Sequence, residues 1–370
     1  MSSSMEKKLY NCVDLFSAAG GFSLAAQRSG FDVKLAIEND KHSANTYRKN
    51  ICKNQKVPPV LIEDDITSLS PSEVYEDTYE EDERCDLLLG GPPCQGFSTH
   101  RINNAGVSDI RNELILTYFE FVRAFKPRVF LMENVPGILW ERHKPYLDRF
   151  YLEGRRSGYD VLEPITLDTR DYGLPQRRKR VFVLGIRKDV GLTNIAWPPK
   201  RTHGNVSAVT EDSSLKPWES CAEIFRTALP DDINNVHMNH CAELVEAFKN
   251  TPPNGGSRKD SGRVLDCHKN HDGHKDVYGR IDPSQPAPTM TTACINPSKG
   301  RFVHPTKHHG ITVRHAARIQ TFPDSFVFEG GLTSAGKQIG NAVPVKMGQI
   351  LIDHIRLLLE CSAVECSEAA

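Results

Sequence analysis

Tyr10-Asn11-Cys12-Val13-Asp14-Leu15-Phe16, followed by Ser17-Ala18-Ala19-Gly20-Gly21, is an apolar run that ends in a turn of small residues. The run reads as a buried first strand. A helix is expected over 22–29, with Gly30 as its C-cap. Val33-Lys34-Leu35-Ala36-Ile37 reads as a second strand, closed by Glu38-Asn39-Asp40. A β-turn-α-β unit of this kind belongs to an α/β sheet with parallel strands. The tight turn lets a ligand approach the helix N-terminus. An acid ending the second strand is placed to accept hydrogen bonds from ribose hydroxyls. G-x-G-x-x-G is absent, so an adenosine-bearing ligand without a pyrophosphate fits better than a dinucleotide.

The alternation continues outward. A third strand is expected over 59–62, with Asp64-Asp65-Ile66 after it to meet the adenine amino group. The acidic segment 71–86 reads as a surface excursion. Leu87-Leu88-Leu89 is the end of a buried strand, stopped by Gly90-Gly91-Pro92-Pro93. Cys94 stands at the tip of that rigid turn, where a nucleophile is presented. A polar loop follows over 99–109, then a helix over 111–125 with a stripe of Leu114, Ile115, Tyr118, Phe119 and Val122. Val129-Phe130-Leu131-Met132 is a strand capped by Glu133-Asn134-Val135-Pro136, beside the Cys94 strand. A helix over 144–157, a strand over 159–167 and a strand over 181–186 complete the regular part. After Pro198-Pro199 the chain is rich in Pro, Gly, Asn, His and Ser and reads as a smaller irregular domain to about Gly300. A helix over 314–320 and a last amphipathic helix, opened by 337–344 and running to about Leu359, return to the first domain. The polar tail 360–370 is expected to fray.

Composition narrows the classes. Hydrophobic residues at 39% and charged residues at 25% describe a soluble chain, and no apolar run reaches the length of a membrane span. No secretory signal is expected at the N-terminus, so the ten cysteines read as reduced thiols. Net charge is -1, but its distribution is uneven: eleven acids against one Arg over 63–86, and nine Lys/Arg against two acids over 170–201. The basic stripe suits a phosphate backbone. His237, His240, Cys241, Cys267, His271 and His274 match no standard zinc spacing, so no metal is expected.

From about Leu9 to Leu359 the chain resembles the cytosine-C5 DNA methyltransferases of the bacterial, single-chain type. The resemblance rests on 14–21, Glu38-Asn39-Asp40, Asp65-Ile66, Gly90 to Ser98, Glu133-Asn134-Val135, Gln176-Arg177-Arg178-Lys179-Arg180, 318–324 and Gly340-Asn341-Ala342-Val343-Pro344, in the family's order. Tyr278-Gly279-Arg280 and 286–292 resemble the family's passage from variable domain to core. It implies a Rossmann-like S-adenosylmethionine-dependent methyltransferase sheet with a smaller target-recognition domain. The domains are then 1–199 (catalytic and cofactor-binding), 200–300 (target recognition) and 301–370 (return to the catalytic domain). One departure is Ala18, where the family's first turn usually carries Gly; Ala is tolerated if its φ is negative.

The resemblance implies roles. Cys94 adds as a thiolate to C6 of cytosine, making C5 nucleophilic toward the cofactor methyl group. Glu133 neutralises N3. Arg178 holds O2 and orients Cys94, with Arg180 two residues on along the same strand face. Phe16, Ala18, Gly20, Gly21, Glu38, Asn39, Asp65, Ile66, Pro93, Leu114 and Asn341 surround S-adenosylmethionine, Phe16 stacking on adenine. The cytosine must leave the duplex, and the 99–109 loop closes over it with His100 or Arg101 filling the gap. Ser98, Arg177, Lys179, Arg258, Lys259 and Arg263 contact DNA, mostly at phosphates.

The function expected is methylation of C5 in a specific double-stranded DNA sequence, as the modification enzyme of a restriction-modification system or an orphan epigenetic methylase. A cognate restriction endonuclease would act separately. The protein is expected to be a cytoplasmic, nucleoid-associated monomer without a membrane partner. The alternatives are a tRNA or RNA cytosine methyltransferase, disfavoured by the hundred-residue insert, and an inactive DNA-binding accessory protein, disfavoured by intact Cys94, Glu133 and Arg178.

Overall fold

The structure is a computed structural model that describes residues 9–53, 57–93, 114–191, 196–226, 231–262 and 276–368, with side chains to residue 361. The chain forms two compact units: Met1–Leu167, Lys179–Pro199 and Gly348–Ala370 make the first, Asp168–Arg178 and Lys200–Met347 the second.

The first unit is built on an eight-stranded sheet. Its strands are β1 (Tyr10–Leu15), β2 (Phe31–Ile37), β3 (Val60–Ile62), β4 (Leu87–Gly90), β5 (Val129–Asn134), β6 (Tyr159–Val161), β7 (Ile165–Asp168) and β8 (Lys179–Arg187). The order is β3-β2-β1-β4-β5-β8-β6, with β7 also on β8. The strands from β3 to β5 are parallel, while β8 runs antiparallel to β5 and β6. Strand order reverses between β1 and β4, and such a switch point opens a crevice at the C-terminal strand ends. Leu15 pairs with Gly90 there. A Cβ on Gly90 would lie 2.6 Å from the Tyr118 ring and 3.1 Å from the Leu15 carbonyl, so the crevice floor requires glycine.

Helices α1 (Gly21–Arg28), α2 (Lys41–Tyr47), α3 (Pro71–Thr78), α4 (Leu114–Phe125) and α5 (Lys144–Arg156) cover the sheet. Ile115, Tyr118, Phe119 and Val122 of the α4 stripe are buried and Leu114 is half-buried, and Phe119 meets Phe130 and Phe150 edge-on at 6.0 and 5.2 Å. Three expectations are corrected. The acidic stretch is not a surface excursion: Ser70 caps α3, Pro71 opens it, and Val74 and Tyr79 are buried. Tyr75 and Tyr79 both pack edge-on against Phe125 of α4. The single strand expected over 159–167 is two, β6 and β7. Glu133 and Asn134 lie inside β5, paired with Phe182 and Val181 of β8, rather than after it.

The second unit holds the short pair β9 (His203–Gly204) and β10 (Lys216–Pro217), with α6 (Val206–Glu211), α7 (Ala242–Asn250), α8 (Val313–Ile319) and α9 (Leu332–Asn341). Residues 301–347, expected with the catalytic domain, pack here instead. Gln176 shows why. Its Nε2 donates to the Ile319 carbonyl and to Gln320 Oε1 (2.7 Å), and Gln320 Nε2 donates to the Ile339 and Ala342 carbonyls. Little regular structure satisfies the backbone of such a segment, so buried arginines do it. Arg280 donates to the carbonyls of Thr251, His304, Lys307 and Phe248; Arg314 forks onto Asp232 and reaches the Pro323 and Phe326 carbonyls. Helix α10 (Val345–Glu368) then runs on through the stretch expected to fray. The Asn341 segment does not open it: Asn341 ends α9, a separate helix. From Gly348 onward α10 lies in the first unit, where Gly348 abuts Ala25 and Phe22 of α1 and Arg356 donates to the Ser29 carbonyl.

Among the described residues no helix is long and apolar enough to cross a membrane. No group of His, Cys, Asp or Glu among them could hold a metal ion. The second unit does bury histidines. His304 and His315 lie 5.2 Å apart, and burial plus neighbouring positive charge push each down to about 3. His304 Nδ1 accepts from the Thr306 and Lys307 amides, so the neutral ring is required. Below an unfolded value of about 6.5 the unfolded chain binds protons that the native rings refuse, so stability falls with falling pH. The unfolding free energy from urea titrations should therefore decline from pH 6.5 toward 4, by up to about 1.4 kcal/mol per pH unit for each ring. His304→Asn, which keeps an acceptor near Nδ1, should flatten that slope.

Candidate active site

The crevice between β1 and β4 is bordered by a turn that departs from helical and extended geometry. Phe16, Ala18 and Gly20 all have positive φ, at 56°, 49° and 93°. The condition for tolerating Ala18 is thus not met; its methyl sits in the left-handed region. Two carboxylates hold the turn. Glu38 Oε2 accepts from the Ala18 amide at 2.8 Å, and Oε1 accepts from the Asp40 amide at 2.7 Å. Asp14 accepts from the Ser23 amide and hydroxyl (3.0 and 2.6 Å), and Ser23 Oγ meets Tyr47 Oη. Burial pushes the Asp14 carboxyl up to about 7, with the Glu38 charge adding to it. Gly20 caps α1; a Cβ there would lie 2.8 Å from Ile51 and 3.0 Å from Tyr47. Gly21 is the buried first residue of α1.

Other predicted cofactor residues of this unit line up around the same strand ends. Phe16 and Leu114 are partly buried against one apolar cluster, to which buried Ile66 also belongs. Asn39 is exposed. Asp65 caps a short turn, and hydrogen bonds from the Thr67 amide and hydroxyl hold its carboxyl below the usual range. Pro93 ends the described part of the β4 turn; Cys94, Ser98, His100, Arg101 and Arg263 lie outside the described residues.

Glu133 is buried at the end of β5. Its Oε1 is 2.8 Å from Arg180 Nε, and a Cβ on Gly91 would stand 3.3 Å from Oε2. Asn134 Nδ2 donates to the Pro92 carbonyl, tying β5 to the Gly90–Pro93 turn. The carboxylate, one guanidinium and the turn that leads into Cys94 therefore share one strand end. Of the two arginines expected beside Glu133, the structure brings Arg180 to it and not Arg178. Arg178 belongs to the second unit, is 1% exposed, and donates to the Met290, Gly340 and Ala342 carbonyls at 2.8–3.1 Å. Gly340 cannot be widened there, because a Cβ would fall 2.3 Å from the Thr291–Thr292 backbone.

In the second unit, Arg177 and Lys259 are exposed and Asn341 is an exposed helix end. Lys179, in the first unit, is exposed at the start of β8. Arg258 is 5% exposed inside a short 3-10 turn, so the expectation that it faces DNA is not met. Its side chain packs inward where a surface cation was expected. The sequence reading also missed Asp14, Ser23 and Tyr47. A buried acid within an apolar strand, nine residues before a serine, was the available signal.

A family model described as C-5 cytosine-specific DNA methylase matches residues 10–356. The chain belongs to that family. This methylase is 32% identical to the type II methyltransferase M.DdeI of Desulfomicrobium norvegicum, over 95% of this chain and 89% of that one. It is 30% identical to the type II methyltransferase M1.HphI of Haemophilus parahaemolyticus, over 93% and 86%. A prophage-encoded DNA modification methyltransferase from E. coli superimposes with a TM-score of 0.72 at 25% identity, over 95% and 99%. The S. pombe Dnmt2 methyltransferase shares the fold, with a TM-score of 0.58 at 17% identity, over 96% and 99%. The methylase is thus a DNA cytosine-C5 methyltransferase with the Rossmann-like fold of its class.

Two outcomes follow from the geometry. Ala18→Gly relieves a left-handed alanine and should raise stability by up to about 1 kcal/mol, read from the urea midpoint. Arg178→Ala takes a donor from three buried carbonyls, of which Ala342 keeps another in Gln320, and should cost roughly 3 kcal/mol or more, read the same way.

Proposed function

We propose that this methylase transfers a methyl group to C5 of a cytosine extruded from a short specific duplex sequence, through a covalent bond between Cys94 and C6. The Glu133–Arg180 pair beside the Gly90–Pro93 turn carries the reading, since it puts an acid with its cation against Gly91, three residues before Cys94.

The residues at the β1–β2 edge fit S-adenosylmethionine as cofactor. Ser17 Oγ is a buried hydroxyl without a hydrogen-bond partner, beside a turn whose amides face carboxylates. Phe16 offers a partly buried ring, Glu38 a strand-end carboxylate for ribose hydroxyls, and Asp65 an exposed acid for the adenine amino group. When bound, the cofactor supplies an electrophilic methyl group on a sulfonium sulfur.

The chain's own residues do the rest. The Cys94 thiolate forms a bond to C6, which moves the C5–C6 electron pair toward C5 and places charge on N3 and O2. Glu133 meets N3 and neutralises it. Arg180, held by Glu133, takes the O2 contact that the sequence suggested for Arg178. C5 takes the methyl group; its proton then passes to water, that electron pair re-forms the C5–C6 double bond, and the C6–Sγ bond breaks to release the Cys94 thiolate. Arg178 braces the second unit. Arg177, Lys179 and Lys259 contact phosphates, while the irregular 200–300 segment reads the bases. The relatives' names support a place in a type II restriction-modification system, where the methylase works as a monomer in the bacterial cytoplasm and any endonuclease acts separately.

Transfer of labelled methyl groups to genomic DNA tests the proposal. Cys94→Ser should abolish incorporation. Arg180→Ala should lower kcat about 100-fold or more, and because it leaves buried Glu133 without its cation it should also lower the urea midpoint. Incorporation into tRNA but not DNA would overturn the reading.

A further inference from the structure

Within the second unit lies a pocket of about 570 Å³, a size that admits a small-molecule group. Its lining combines an aromatic face, prolines and cations, none of which the catalytic chemistry uses. Trp218 is held on two sides. Its indole Nε1 donates to Asp171 Oδ1 at 2.9 Å, and the Arg170 guanidinium carbon lies 3.8 Å from its ring centroid. Arg170 is itself fixed by a two-pronged contact to buried Asp168, at 3.1 and 2.7 Å. This makes a rigid stacked wall that loses little entropy when a ligand binds.

The charges of the lining divide into two sets. Arg301 is already engaged: Nε meets Asp276 at 3.0 Å and Nη1 reaches the Gly255, Gly256 and Arg280 carbonyls. Asp282 Oδ1 accepts from the Ser284 amide and hydroxyl. Arg177 and Lys299 are exposed, and their side chains make no hydrogen bond or ion pair among the described residues. Arg177 is nonetheless fixed along the backbone: its amide donates to the Ala287 carbonyl, and Thr289 Oγ1 donates to the Arg177 carbonyl. Two uncommitted cations beside a rigid aromatic stack and a Pro286–Phe302 floor match a ligand with one planar ring and one anionic group.

We infer that this pocket holds one nucleotide of the bound DNA, its phosphate on Arg177 and Lys299 and its ring system against the Arg170–Trp218 wall. The inference rests on the DNA-methylating reading above and adds a contact outside the catalytic chemistry. Base–aromatic stacking tolerates any base, so the pocket adds affinity across sequences without choosing the cytosine.

Full-length protein is titrated with duplex DNA bearing its methylated site, by anisotropy over a salt series and by intrinsic fluorescence. The chain has three tryptophans, and Trp218→Phe isolates the contribution of Trp218. DNA should quench wild-type fluorescence, and most of that quench should vanish in Trp218→Phe, which keeps a ring and binds within about threefold of wild type. Trp218→Leu should bind about tenfold more weakly or worse. Lys299→Ala should lower the slope of log K against log salt by about one, equally for cognate and unrelated duplexes. An unchanged salt slope in Lys299→Ala, or a quench that survives in Trp218→Phe, overturns the inference. Wild-type protein that methylates no DNA sinks the function itself; wild-type protein that methylates DNA while the variants behave as wild type sinks this pocket alone.

Discussion

The register between β5 and β8 is the constraint on which the catalytic edge depends. Glu133 sits opposite Phe182 in this antiparallel pair. Side chains alternate along a strand, so Arg180 shares the face of Phe182 and becomes the diagonal neighbour of Glu133, within reach of a long side chain. A buried carboxylate is costly unless paired, and Arg180 is the pair. A one-residue slip of β8 would turn Arg180 to the other face and leave the acid without its cation. Arg178, two positions earlier, lies before the strand begins, where the chain belongs to the second unit. Two arginines of one basic cluster therefore receive different work from one register.

The second unit shows what arginine does when strands are scarce. Arg178, Arg280 and Arg314 are its largest fully buried side chains, and each donates to several main-chain carbonyls. A guanidinium has five donors in a fixed fork, so one side chain can satisfy the carbonyls that a ladder would otherwise take. This inverts the usual reading of basic residues in a DNA-binding segment. Burial, not sign, separates a brace such as Arg280 from an outward cation such as Arg177.

That distinction also marks how far the sequence could be read. The strands around β1, β4 and β5 were legible because both faces are covered, which leaves continuous apolar runs. The α4 stripe was legible from its helical period. Helix α3 was hidden because the acids of the 71–86 stretch outnumber Val74, Tyr75 and Tyr79, the residues that dock it. Which of Arg178 and Arg180 meets Glu133 was hidden because alternation gives both the same face; only the antiparallel partner decides between them. Arg258 was misread because a short 3-10 turn leaves no periodic signal for inside and outside.

The cofactor edge follows a different economy of forces. Phe16 and Ala18 are held in a backbone region that costs a non-glycine residue about 1–2 kcal/mol each. Such geometry persists only where surrounding contacts over-determine it. Here those contacts are carboxylates from two adjacent strands, Asp14 of β1 and Glu38 following β2. Each Glu38 oxygen accepts from one main-chain amide, which fixes the side chain at the strand end. Asp14 achieves the same rigidity deeper in the core, at the expense of a carboxyl driven up to about 7 by burial. Glu38 is half-buried at the strand end, while Asp14 is buried and holds α1 in place. The turn is shaped by the chain's own carboxylates, which leaves less to be ordered when a ligand binds.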